Sequence, residues 1–374
     1  MKFRSLFLSA LCGLAVAAAF TSCGDDDDVP APTNPNVLPP VTTDSVQLGL
    51  VLNEGSYGLN NASVSWFNAL KDTTTSVTND LYLLQNMKQL GDTGQDLIAA
   101  DGSIYISMYG SSYITKLDKT GVELARREFG NDLGQPRYMA DCEGYIYVST
   151  YGGYVVKLNA TDLSVAGKVT VGKAAERIDV ENGILYLACG NTLDYTADNR
   201  MFIIDTKNFA DAAVKYVKVC ANTQLVNASA NYVFIQGYGA DWTNTPFWVY
   251  DIKNGKAEDT GLYATYAIAT DDENTALAMY SMTDWSTNTT TNTYFIYNAA
   301  TKTKTDITAQ IVKAVPELAG ASVYGLCAGK DNSFYITTTL YASGNGTVYH
   351  FDSNYNLLGS FTSWGQNPKK VVVM

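Results

Sequence analysis

A unit of roughly 40 to 60 residues repeats along this chain, and that repeat constrains the fold more than any other feature. Three copies align by eye: Leu97–Ser107, Tyr138–Ser149 and Ile178–Ala188. Each reads as an apolar strand, a tight polar-Gly turn and a second strand centred on a tyrosine. Alternating hydrophobic residues around a two-residue turn with Gly mark a β-hairpin. Looser copies follow at 225–236, 267–280 and 324–337. After each hairpin comes a variable loop and then a third strand ending in Asp or Asn, such as Tyr113–Asp118, Val155–Asn159, Met201–Asp205, Phe247–Asp251, Tyr294–Asn298 and Val348–Asp352. A fourth strand, as in Val165–Val171, closes the unit. Four strands at this period are the signature of propeller blades.

The two ends of the chain share one unit. Gly49–Asn53 reads as a second strand and Ser63–Asn68 as a third, with no first strand before them. The missing strand is Lys370–Met374, preceded by Gly365-Gln366-Asn367-Pro368, which echoes Gly134-Gln135-Pro136. The expectation is an all-β propeller of about seven blades, whose C-terminal strand completes the N-terminal blade and leaves few open edges. A β-helix has a much shorter period, and a sandwich has no repeat.

Composition agrees. With 26 Tyr and 30 Gly among 374 residues, the chain is rich in residues that fit pleated surfaces and tight turns. A formal net charge of −12 without a concentrated Lys/Arg patch argues against nucleic acid and against an anionic membrane surface as partner of the folded part.

The N-terminus reads as a processed segment rather than part of the fold. Lys2 and Arg4 precede an apolar run, Leu6–Phe20, that is short for a membrane span. Thr21, Ser22 and Cys23 then resemble a lipobox, with Cys23 as the lipidated residue and Phe20 where Leu is usual. Asp25–Asp28 resemble the surface-export signal of Bacteroidetes lipoproteins. Residues 1–22 are therefore expected to be a lipoprotein signal peptide, 23–45 an acidic and Pro-rich tether, and 46–374 the propeller. The folded part would meet the membrane only through the lipid, at the outer face of the outer membrane. Cys142, Cys189, Cys220 and Cys327 show no metal-ligand spacing, and blade geometry keeps them too far apart to bridge, so four free thiols are expected.

Strand alternation puts the loops between second and third strands on the same face as the interblade loops. An aromatic recurs in almost all of them: Tyr57, Tyr109, Tyr151, Tyr195, Tyr238, Trp242, Trp285 and Tyr341. The opposite face has only short turns. Long loops on one face collect binding residues, and exposed Tyr and Trp suit a flat amphipathic ligand, although each ring could instead lie as a lid over its blade. Arg137, Arg177, Gln95 and Tyr266 are placed in interblade loops on that face as polar contacts. An enzyme has little to work with. The single His350 lies inside a third strand, so triads and His-ligated metals are excluded, and no motif calls for a cofactor. Carboxylate chemistry through Glu54, Asp241 or Asp284 stays open, but no pair is singled out by spacing.

The run Val51-Leu52-Asn53-Glu54-Gly55-Ser56-Tyr57-Gly58-Leu59-Asn60-Asn61-Ala62-Ser63, with Leu90-Gly91-Asp92-Thr93-Gly94-Gln95-Asp96, resembles the opening of the YncE-like propeller lipoproteins of gut Bacteroidetes. Some members of that family bind corrinoids at the cell surface and cap an outer-membrane, TonB-dependent transporter. The resemblance implies a binding protein whose leading ligand is a corrinoid of the vitamin B12 type. A glycan- or haem-binding propeller, a protein-interaction scaffold and a carboxylate-dependent lyase or hydrolase are the alternatives.

Overall fold

The computed structural model describes residues 47–69, 80–240 and 244–374. The signal segment, Cys23, the Asp25–Asp28 run, the tether, Asp241 and Trp242 lie outside the described residues.

Seven antiparallel sheets form a ring of blades. Blade 1 combines Leu48–Asn53 and Ser63–Asn68 with the C-terminal Pro368–Val373, which pairs Val371 with Val51 and Lys370 with Leu52. The ring is thus closed by the two ends of the chain, as the split repeat requires. Val64 packs in one cluster with Leu90 and Ile106, against which Val372 also lies. The other blades have four strands each, and the innermost run Gly94–Ala100, Pro136–Cys142, Ala175–Glu181, Thr223–Ala228, Tyr266–Ala269 and Val323–Ala328. Each inner strand neighbours the next, and Pro368–Val373 touches both blade 7 and blade 2.

The hairpin turns follow from their residues. Asp101-Gly102, Glu143-Gly144 and Asn182-Gly183 all have positive φ at both positions, the mirror-image turn whose twist matches paired strands. The core lies between blades rather than within one. Tyr105 and Ile114 of blade 2 pack with Met139, Ile146 and Val156 of blade 3, and the Tyr105 hydroxyl donates to the Ala160 carbonyl at 2.8 Å. The repeat anchors Tyr105, Tyr147, Tyr186, Phe234, Leu277 and Tyr335 are all buried.

Some elements differ from the strand pattern. Met282-Thr283-Asp284, expected in a loop, belong to a hairpin whose strands Thr275–Asp284 and Thr289–Asn298 run ten residues each. Thr283 faces Thr290 across it, and β-branched pairs of this kind extend a ladder. Helices Leu81–Asn86 and Thr308–Ala314 interrupt the repeat. Cys220 lies just beyond the fourth strand of its blade, Lys215–Lys218. The four cysteines are free, as geometry predicts.

Candidate functional site: the axial cavity

The polar residues nearest the propeller axis come from the start of each inner strand, at the loop face. There the sequence places polar pairs where aliphatic residues would be expected to continue the strand: Gln95-Asp96, Arg137-Tyr138, Glu176-Arg177 and Lys369-Lys370. The ladders are bulged at these positions. Pairing shifts between Gly94 and Asp96, Pro136 and Met139, Ala175 and Ile178, Thr223 and Leu225, and Val323 and Gly325. In blade 1 the shift falls opposite Lys369, since Asn53 faces Pro368 and Leu52 faces Lys370. A bulge adds one residue against the partner strand and re-aims its side chain. Here the extra residues, among them Gln95, Gln224, Tyr324 and Lys369, line the axis. Blade 6 has no bulge, and Tyr266 is simply its first inner residue.

Together they line a cavity of about 300 Å³ with Tyr138, Glu176, Arg177, Gln236, Tyr238 and Lys370. Arg137, Arg177, Gln95 and Tyr266 are therefore strand residues and not loop residues; for the first three, bulges break the alternation that would mark the strand start. A second axial cavity opens toward the tight-turn face. Both are lined by Arg177, Asn227, Ile268, Leu326, Cys327 and Lys370, which form a waist between them.

Ion pairs organise the mouth. The Arg137 guanidinium donates to the Glu176 carboxylate from Nη2 at 2.6 Å and Nε at 3.0 Å, and from Nη1 to Gln95 Oε1 at 2.7 Å. Lys369 Nζ and the Tyr324 hydroxyl both donate to Glu54 Oε2 at 2.9 Å. The Tyr266 hydroxyl donates to the Tyr324 carbonyl at 3.0 Å. Tyr138 sits among three cations, with Arg177, Arg137 and Lys369 at 5.7, 5.8 and 5.9 Å from its ring centre. Burial pushes the Glu176 carboxyl up, against the pull of Arg137. It also pushes the Tyr266 and Tyr324 phenols well above their ordinary range. Burial opposes the charge on Lys369 most strongly, but Glu54 and Tyr138 together outweigh it and the ammonium is raised.

The structure gathers some of the expected aromatics around this mouth and leaves others apart. Tyr109 and Tyr151 meet edge to face at 5.9 Å, and the Arg137 guanidinium lies 4.9 Å from the first ring and 5.9 Å from the second. Tyr238 lines the cavity. Tyr341 packs edge to face on Tyr324 at 6.4 Å. Tyr57 is 78% exposed, on a loop held by Gly58 N–H donating to the Asp92 carboxylate at 2.9 Å, and it adds to the upward push on the Tyr109 phenol. Tyr195 lies 5.9 Å from Lys173 rather than among the lining residues. Trp285 is 84% exposed at the tip of the long blade 6 hairpin and does not line the cavity. Tyr138, Glu176, Tyr324, Lys369 and Lys370 escaped the sequence reading. Their signal is the polar pair at the head of each first strand, visible once the repeats are aligned from that point.

Of the carboxylates open to catalysis, Glu54 is taken up by Lys369 and Tyr324, and Asp284 accepts from Ser286 N–H and Oγ in its own turn. His350 stacks on Tyr335 at 4.2 Å, and burial lowers it to about 4. Among the described residues no group of three or more His, Cys, Asp or Glu is placed to hold a metal ion.

No family model and no curated protein matches the chain. Solved structures do. A hypothetical selenium-binding protein from Sulfolobus tokodaii is 11% identical, with 91% of this chain and 97% of that one covered at a TM-score of 0.64. A quinonprotein alcohol dehydrogenase-like protein from Bacteroides thetaiotaomicron is 13% identical, with 86% and 77% covered at 0.58. Apo AztD from Citrobacter koseri is 9% identical, with 88% and 98% covered at 0.50. At these identities the likeness is one of fold alone.

Proposed function

We propose that the protein is a lipid-anchored capture protein of the outer cell surface, which binds a ligand at the loop-face mouth of its axis and passes it to an outer-membrane TonB-dependent transporter. The leading ligand is a corrinoid. The observation that carries this reading is the set of rings around one cavity: Tyr109 and Tyr151 braced on Arg137, Tyr238 in the wall, and Tyr341 on Tyr324. A corrin ring exceeds a cavity of about 300 Å³ and would lie across the mouth. Its faces would rest on the tyrosines, and its amide fringe would reach Gln224, Gln236 and the ion pairs. Aromatic rings with one polar end suit such a ligand. The lipidation of Cys23 and the Asp25–Asp28 export signal belong to the same proposal. Calorimetry with cobalamin, cobinamide, haem and host or plant glycans tests it. Tight, stoichiometric binding of a corrinoid is expected, and binding of none of the four classes would overturn it. Cys23→Ala should release the protein from the membrane fraction; unchanged fractionation would remove the anchor from the proposal.

A further inference from the structure

The waist of the axial channel has hydrogen-bond donors without acceptors. Among the described residues, neither the Arg177 guanidinium nor the Lys370 ammonium donates a hydrogen bond to the protein, although both line the two axial cavities. Two carboxylates stand near these cations, and Asp96 is only partly engaged, since its buried Oδ1 has no hydrogen-bond partner. Asp179 accepts the Ala228 and Val180 N–H groups, both at 2.9 Å. Asp96 Oδ2 accepts the Met139 N–H at 3.0 Å, and its Oδ1 stands 4.0 Å from Lys370, beyond hydrogen-bond reach. The mouth offers no relief, because Arg137 and Lys369 already hold Glu176 and Glu54. Guanidinium and ammonium groups carry only donors, and donors that line a cavity can take acceptors from a ligand there. Two facing cations with free donors match the oxygens of a carboxylate or phosphate.

We propose that this waist is an oxyanion site, which takes a carboxylate or phosphate group between Arg177 and Lys370. The site stands apart from whatever covers the mouth and is reached from either face. Burial pushes the Asp179 carboxyl upward, while burial and the neighbouring Arg177 push the Lys370 ammonium downward.

The test uses sodium phosphate and sodium acetate as probes, against sodium chloride at matched ionic strength, with calorimetry on the whole protein. Wild type should bind phosphate or acetate, and Arg177→Gln should weaken that binding at least about tenfold, as expected for losing a charge-assisted hydrogen bond. Lys370→Gln provides the same comparison if Arg177→Gln does not fold. Lys302→Gln, at an exposed ion pair with Glu258, should change nothing. Wild type that binds neither probe would overturn the proposal, as would folded Arg177→Gln or Lys370→Gln that binds as well as wild type.

Discussion

The two ends of the inner strands are built on different terms. At the loop end all but the blade 6 strand are bulged and carry Gln95, Arg137, Glu176, Gln224, Tyr324 and Lys369 toward the axis. Toward the tight-turn end the same strands pair regularly, and in blades 1, 2 and 6 they turn aliphatic, as Leu97-Ile98-Ala99-Ala100, Ala267-Ile268-Ala269 and Val371-Val372-Val373. One strand thus serves two purposes. The regular stretch packs blade on blade, and the bulged stretch leaves the ladder to present polar groups in a cavity.

Removing Pro368–Met374 takes away both ends of one inner strand at once. Val371 is buried among Val51, Phe67 and Tyr335, and Lys369 would no longer meet Glu54. The loss is several kcal/mol, comparable to a whole domain's stability, so no cooperative thermal transition should remain. A truncated chain that melts like the full one would contradict the closure.

Arg137→Met acts at the loop end only. It strands Glu176, whose side chain is 6% exposed, and a buried charge that loses its partner costs about 3–5 kcal/mol. Arg137→Met with Glu176→Met should recover most of that loss. Denaturant melts in which the double variant is as unstable as the single one would show that the pair is not what sets the cost. At the aliphatic end, Leu97→Ala should cost about 2–5 kcal/mol through a cavity, with no partner able to rescue it.

A pH series separates the channel from the rest of the ring. Glu176 and Asp179 have carboxyls raised by burial. The stability they contribute is complete below the unfolded carboxylate range and is lost as pH rises through the raised values. His350, stacked in blade 7, behaves oppositely. Burial depresses it from 6.5 to about 4. Its contribution is present above 6.5 and is lost as pH falls toward 4, by an amount on the order of 3 kcal/mol. Melting curves should show His350→Gln flattening that acid-side loss and Glu176→Gln reducing the fall at rising pH. No change in either slope would refute these assignments.

The ring and its closure are legible in the sequence because they rest on the two strongest signals it carries: hairpin turns such as Asp101-Gly102 and the unmatched strand at each end. The site is less legible. Its face is readable from the placement of Tyr109, Tyr151 and Tyr238, yet its charged wall is not, because a bulge breaks the period of two by which a strand is recognised. Arg137 and Arg177 therefore look like loop residues, and Lys369 falls just outside the last strand as the sequence marks it. Trp285 misleads for the opposite reason. Its Thr-rich flanks read as a loop but pair as an extended hairpin that carries the ring away from the cavity lining.

The central claim is that the bulged, polar end of the inner strands is the binding end. Cobalamin affinity measured by calorimetry on two variants decides it. Tyr151→Ala removes a ring braced on Arg137 at the loop end, and Lys330→Ala removes a lining side chain of the cavity at the other end. Tyr151→Ala should bind at least about tenfold more weakly, as for loss of an anchoring ring, and Lys330→Ala should keep wild-type affinity. Wild-type affinity in Tyr151→Ala together with lost binding in Lys330→Ala would contradict that claim.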